Sequence, residues 1–187
     1  FDRYGPLYTQ FRADDIPADI LAKGQAVIAS KIEKAVSEGR QGYEDMYFNI
    51  LMLGSHDLAV LRWLLGSPTG VDYARAMDPQ HVFAVLNYAD SAPVMLEIAY
   101  GPQYEWWDEV LEVRGERDEV RVEFQNPYLR QNSADVYFRS SDDTWGSRGY
   151  IRGVPDTSFR RQWQHFYEVI RNKVPARSTL AGGISDI

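Results

Sequence analysis

The sequence has no cysteine and only three histidines in 187 residues. Without thiols, disulfide frameworks, thiolate metal sites and cysteine nucleophiles are all excluded, and nothing argues for an oxidising compartment, so a cytoplasmic location is expected. Long apolar runs are missing too. No stretch reaches the roughly 20 residues of a membrane span, and the start FDRYGPLYTQF is polar and aromatic where a signal peptide is basic and then apolar. The chain begins at Phe1 without Met, which reads as a fragment or a processed start. An excess of basic charge is also absent: 20 Lys and Arg face 27 Asp and Glu, for a net charge of -7. Nucleic acid and membrane surfaces are therefore poor partners. A phosphate-binding glycine loop is not found either. The Gly pair of AGGISDI follows no strand and lacks fingerprint spacing, and GQAVIASK has one glycine and no Gly-Lys-Ser/Thr, so tight dinucleotide binding by this chain alone is not expected. No GxSxG elbow is present. His56, His81 and His165 have no histidine partner at i+3 or i+4, so no metal site is expected.

What is present is ordinary globular composition, 44% hydrophobic and 25% charged, which leads us to expect a single domain over residues 1–187. After an extended lead-in, Pro17 opens a helix whose Ile20, Ala26, Val27, Ile32, Ala35 and Val36 form one stripe, with Gly39 placed to end it. The segment YEDMYFNILMLGSHDLAVLRWLLG is apolar nearly all round, which predicts a buried helix that Gly66 and Pro68 terminate. Beyond residue 70 the period changes to two, and HVFAVLNYA, APVMLEIAY, DEVLEVRG, DEVRVEF and DVYFRS read as antiparallel strands. DEVLEV and EVRVEF, joined through RGERD, form a hairpin with one solvated face. Asp156 or Thr157 then opens a helix with Phe159, Trp163, Phe166, Tyr167 and Ile170 at helical spacing, and Pro175 stops it. Helices at both ends of a run of strands indicate an α+β fold, an open, mainly antiparallel sheet packed against helices.

Polarity enters the apolar helix at Gly54, Ser55 and His56. An imidazole buried there needs a hydrogen bond or a cavity to escape a desolvation cost of about 1–3 kcal/mol. Such a group suits proton transfer at neutral pH, although a core histidine bonded to a backbone carbonyl would satisfy the same pattern. Asn49, seven residues earlier, is two helical turns away and is expected to face the same cavity. His81 and His165 read as ordinary, partly exposed residues. Tyr100, Tyr104, Trp106 and Trp107 cluster near a strand connection, and Tyr128 and Arg130 follow the hairpin. Rings beside an Arg suit carbohydrate or carboxylate recognition, with packing against a helix or second subunit as the other account.

The string GSHDLAVLRWLLGSP resembles the motif of the Gfo/Idh/MocA oxidoreductases, in which Gly-x-His on a helix is followed by an apolar stretch, Arg-Trp-Leu and a Gly-x-Pro stop. LEVRGERDEVRVEF is similar to that family's hairpin, and WQHFYEVIRNKVPARSTLAGGISDI to its last helix and final segment. QNPYLRQN resembles a Tyr/Asn-rich stretch with a central Arg found in one branch. The resemblance covers most of residues 40–187 and rests on the common order of loose motifs. It implies the family's C-terminal domain: an open sheet with helices on one face and subunit contacts on the other, hence a homo-oligomer, and a Rossmann domain that is absent from this chain. It also implies hydride transfer between a small-molecule sugar or polyol and NAD or NADP, the cofactor being held mainly by that Rossmann domain. A histidine and a lysine handle the hydroxyl proton in such enzymes. His56 matches the histidine, and Asn49, Ser55, Tyr128 and Arg130 are the candidate substrate contacts, while the lysine belongs to the missing domain. Two positions depart from the family, since Met52 and Ala59 stand where Asp is common. The carboxylates that would polarise the imidazole are lacking, which leaves a different substrate, a changed reaction or a lost activity open. Two other accounts stand beside this one: a non-catalytic self-associating module, and a cofactor-free α+β lyase or isomerase, which would need a strongly curved sheet around a pocket.

Overall fold

A computed structural model of the chain describes residues 15–36, 40–89, 92–99, 107–127, 133–154 and 156–185. The fold is α+β, with two antiparallel sheets and their helices, distributed over two compact units: residues 1–103 with 178–187, and residues 104–177.

In the first unit, α1 (Ala18–Ala35) starts directly after Pro17, whose carbonyl accepts from the Ile20 and Leu21 amides. Gly39, expected to end it, lies outside the described residues. The next helical segment comprises α2 (Glu44–Asn49), a π-turn (Ile50–Gly54) and α3 (Ser55–Leu65). It ends as expected at Gly66, whose φ of 80° places it in a region that residues bearing a Cβ avoid. Strands β1 (Gly70–Asp78), β2 (His81–Asn87) and β3 (Val94–Ala99) follow as a meander. The β2–β3 register pairs Val82 with Ile98, Ala84 with Leu96 and Leu86 with Val94, so one face of the sheet is uniformly apolar. Val82, Ala84, Leu86, Tyr88 and Ile98 are buried and constitute most of the described core. The π-turn packs on β3 at this face. A Cβ on Gly54 would stand 2.4 Å from Ile98 Cδ1, so only glycine admits the approach. The C-terminal α5 (Leu180–Ser185) lies against α3, with the Thr179 hydroxyl accepting from the Gly182 amide at 3.0 Å.

The second unit carries β4 (Glu109–Arg114), β5 (Asp118–Phe124), β6 (Asp135–Ser141) and β7 (Gly146–Arg152), ordered 4-5-6-7 and all antiparallel. The β4–β5 hairpin closes with the Gly115 amide donating to the Asp118 carbonyl at 2.7 Å. The β6–β7 turn is held by Asp142, whose carboxylate accepts from the amides of Thr144 and Trp145 at 2.7 and 2.6 Å. The register places Leu111, Val122, Val136 and Ile151 on one face and Glu112, Arg121, Tyr137 and Tyr150 on the other. Helix α4 (Ser158–Asn172) is capped by Thr157, whose hydroxyl accepts from the Arg160 amide at 3.1 Å.

Asp135 is buried, and its carboxylate takes two hydrogen bonds from Arg152, at 2.8 and 2.9 Å, and one from the Tyr150 hydroxyl at 3.3 Å. The Arg152 bonds outweigh the upward push of burial and hold the carboxyl below its ordinary value of 3.8. A carboxylate lowered in the folded state stabilises the fold above its unfolded pKa and loses that contribution as the pH falls through the folded value. Asp135→Asn should therefore cost about 1–2 kcal/mol at pH 7 in urea unfolding, and the gap from the wild type should close below about pH 4. A gap that stays constant down to low pH would exclude the charged pair as its source. Gly54→Val should cost about 1–3 kcal/mol by overpacking, and adding Ile98→Ala should relieve part of that cost. Strict additivity of the two changes would show that these side chains do not meet.

Candidate functional site

The π-turn arises from a local exchange of hydrogen bonds at Ser55. Its amide donates to the Ile50 carbonyl, five residues back, while its hydroxyl donates at 2.8 Å to the Leu51 carbonyl, four residues back. The side chain thus fills the acceptor that the amide of a regular helix would use. One extra residue in the turn rotates all that follows by roughly 100° relative to what precedes it. Asn49 and His56, seven apart, consequently do not stack as they would in an uninterrupted helix. Asn49 instead reaches the β1–β2 connection, its Nδ2 donating to the Pro79 carbonyl at 2.9 Å.

His56 lies exposed, where an apolar surround had predicted burial. The reason is geometric. The segment buries only the stripe through Gly54 and Leu61, and a step of two residues from either moves about 200° round the axis. His56 and Trp63 occupy those steps, and Trp63 is 81% exposed. Met52 is also exposed, so the imidazole sits on an apolar helix face with no cover from the described residues.

The three histidines differ in their partners. His81 Nε2 meets Glu97 Oε1 at 2.7 Å, and His165 Nε2 accepts from the Arg177 amide at 3.1 Å. Both are partnered surface residues, as expected. His56 makes no hydrogen bond or ion pair with the described residues, which leaves both of its ring nitrogens unengaged by them. Tyr128 and Arg130 lie outside the described residues, as do Tyr100, Tyr104 and Trp106. Among the described residues no group of three His, Asp or Glu side chains is placed to hold a metal ion, and no helix is long and apolar enough to cross a membrane.

The described residues do not fit a dinucleotide cradle. Gly182 and Gly183 stand inside α5, and Gly182 packs so closely on the Arg62 guanidinium that a Cβ there would come within 2.9 Å. The close approach serves helix packing, and no glycine-rich turn leads from a described strand to that helix. Sequence inspection missed a second feature, a groove of about 820 Å3 on the polar face of the four-stranded sheet, bounded by residues that include Arg121, Tyr137, Arg139, Arg148 and Tyr150.

No family model matches the chain, and no curated protein does. Among solved structures it is similar to yvaA of Bacillus subtilis, provisionally classed as an oxidoreductase, with a TM-score of 0.53 and 16% identity over 74% of this chain and 46% of that one. YPO2259 of Yersinia pestis, classed in the same way, gives a TM-score of 0.53 and 15% identity over 72% of this chain and 43% of that one. The chain therefore spans less than half the length of either protein, and what it shares with them is the fold.

Proposed function

We propose that this chain is the substrate-binding and oligomerisation part of a Gfo/Idh/MocA-type oxidoreductase that uses NAD or NADP and acts on a sugar, polyol or related hydroxy compound. The observation that carries the reading is His56, an exposed imidazole on an apolar helix face, with neither partner nor cover among the described residues. Its place in a Gly-x-His motif and the fold shared with two provisionally classed oxidoreductases support it. A dinucleotide-binding domain beyond the described residues would cover that face, burying Met52 and Trp63 and excluding water from the imidazole. His56 then accepts or returns the proton of the substrate hydroxyl. Ser55 and Asn49 position this centre: one hydroxyl sets the π-turn and one amide anchors the helix to the Pro79 connection. Tyr128 and Arg130 supply the further substrate contacts in this reading. Because Met52 and Ala59 replace the usual carboxylates, His56 works without an acidic neighbour at those positions, which favours a substrate outside the ordinary polyols.

Self-association is assigned to the face of the three-stranded sheet opposite the π-turn. Tyr73, Val85 and Met95 lie there in register, with Phe83 two residues from Val85 on the same face, Met95 77% exposed and the Tyr73 and Phe83 rings in edge contact at 6.2 Å.

The test uses the full-length polypeptide, a panel of sugars, polyols and related hydroxy compounds, and both nicotinamides. Substrate-dependent cofactor reduction should appear, and His56→Ala should lower kcat by about 100-fold to 10,000-fold. An unchanged kcat would remove His56 from the chemistry. A native polypeptide that lacks any dinucleotide-binding domain and self-associates without turnover would favour the interaction module instead.

A further inference from the structure

The polar face of the four-stranded sheet is a charge ladder that balances at one end and not at the other. On β4 and β5 every arginine has a carboxylate: Glu112 pairs with Arg114 at 2.5 Å and with Arg121 at 3.1 Å, and Glu123 pairs with Arg121 at 2.9 Å. Glu119 is shared, at 3.8 Å from Arg114 and 3.5 Å from Arg139. On β7, Arg148 has no ion pair among the described residues, and Asp135, the acid of β6, is engaged by Arg152 at the other end of the β6–β7 pair. The groove thus counts four guanidiniums, of Arg114, Arg121, Arg139 and Arg148, against three carboxylates, of Glu112, Glu119 and Glu123. The surplus sits at one place, because Arg139 and Arg148 are direct cross-strand partners on β6 and β7.

Like charges directly opposite on neighbouring strands destabilise a sheet. The one acid at this pair is Glu119, opposite Arg139 on β5 and shared with Arg114, so two guanidiniums meet a single divided carboxylate although the chain's net charge is -7. The next rung on the same face is Tyr137 opposite Tyr150, with ring centroids 5.3 Å apart and planes tilted by 34°. Two guanidinium forks beside two phenol rings, in a groove of about 820 Å3, have the size and chemistry of a small-molecule site: an anionic end for the forks and a carbon body against the rings.

We infer that Arg139 and Arg148 bind the dianionic head of a small phosphate monoester whose organic part lies along Tyr137 and Tyr150. Two adjacent guanidiniums match a dianion better than a single carboxylate. A nucleic-acid backbone running along the groove would meet all three glutamates, whereas a monoester held at Arg139 and Arg148 has only Glu119 beside it, which Arg114 and Arg139 already engage. The site does not depend on His56 or on the oxidoreductase reading, so it stands or falls separately.

Titration calorimetry of the full-length protein with inorganic phosphate and with phenyl phosphate, at constant ionic strength, tests the inference. Saturable binding with one phosphate per chain is expected, about tenfold weaker or more in Arg148→Gln and in Arg139→Gln. Arg148→Lys should fall between them and the wild type, since it keeps the charge and loses the fork. Tyr137→Leu should weaken phenyl phosphate and leave inorganic phosphate unchanged. Arg148 is exposed, so its variants should fold, which circular dichroism checks. Non-saturable phosphate uptake, or equal affinity in Arg148→Gln, overturns the inference. So does a change of sedimentation coefficient in Arg148→Gln with no phosphate binding by the wild type, which would give this face to a second copy of the chain.

Discussion

The first unit is organised by the approach of Gly54 to Ile98. The apolar face of the three-stranded sheet needs a cover, and the helical segment supplies it by bringing its backbone down onto β3, where a methyl group would already collide. That contact decides which stripe of the helix is inside, namely the one through Gly54 and Leu61. It thereby decides what is outside, because His56 and Trp63 follow these residues by two and must turn away. The exposure of the candidate catalytic imidazole is a consequence of packing on the far side of the same helix.

The Ser55 hydroxyl makes the second contribution. A π-turn inside a helix is uncommon and occurs often at functional sites, but its physical effect here is simple. It advances the register by one residue, separates Asn49 from His56 in angle, and gives the Leu51 carbonyl a side-chain donor in place of an amide. The second unit solves a different problem. Its sheet has one face of Leu111, Val122, Val136 and Ile151 and another of interleaved arginines and glutamates, and the ion pairs of the latter are mostly exposed. Exposed pairs contribute little each to stability. The exception is Asp135, where a buried carboxylate with three donors ties β6 to β7.

Much of this was legible in the sequence where periodicity was strong. Strands β2 to β6 alternate, and their positions follow from the pattern; Gly66 and Thr157 act as the helix stop and start that their residue types indicate. Strands β1 and β7 are not legible in the sequence. All nine residues of β1 are exposed, and two register shifts, between Val71 and Tyr73 and between Ala76 and Asp78, break its period. β7 contains Gly146, Gly149, Arg148 and Arg152, a composition that suggests a loop until its partner β6 is known. The π-turn has no compositional signature at all. As for the site, His56 could be found from its motif, but its exposure could not, since an all-apolar helix implies burial without saying what does the burying.

Helix α4 shows Phe159, Trp163, Phe166, Tyr167 and Ile170 on one stripe, each about half exposed or more, and α1 shows Ile20, Leu21, Val27 and Ile28 in the same state. Single exposed apolar side chains are normal in soluble proteins, but contiguous stripes at helical spacing mark surfaces made for another surface. Three such stripes, on α1, on α4 and around His56 on α3, are open among the described residues. A chain that served only as a self-contained sheet would gain solubility by replacing these residues with polar ones, at no cost to its described core of Val82, Leu86 and Ile98. Their presence fits the proposed docking of a further surface, and His56 lies on one of the three faces left open among the described residues.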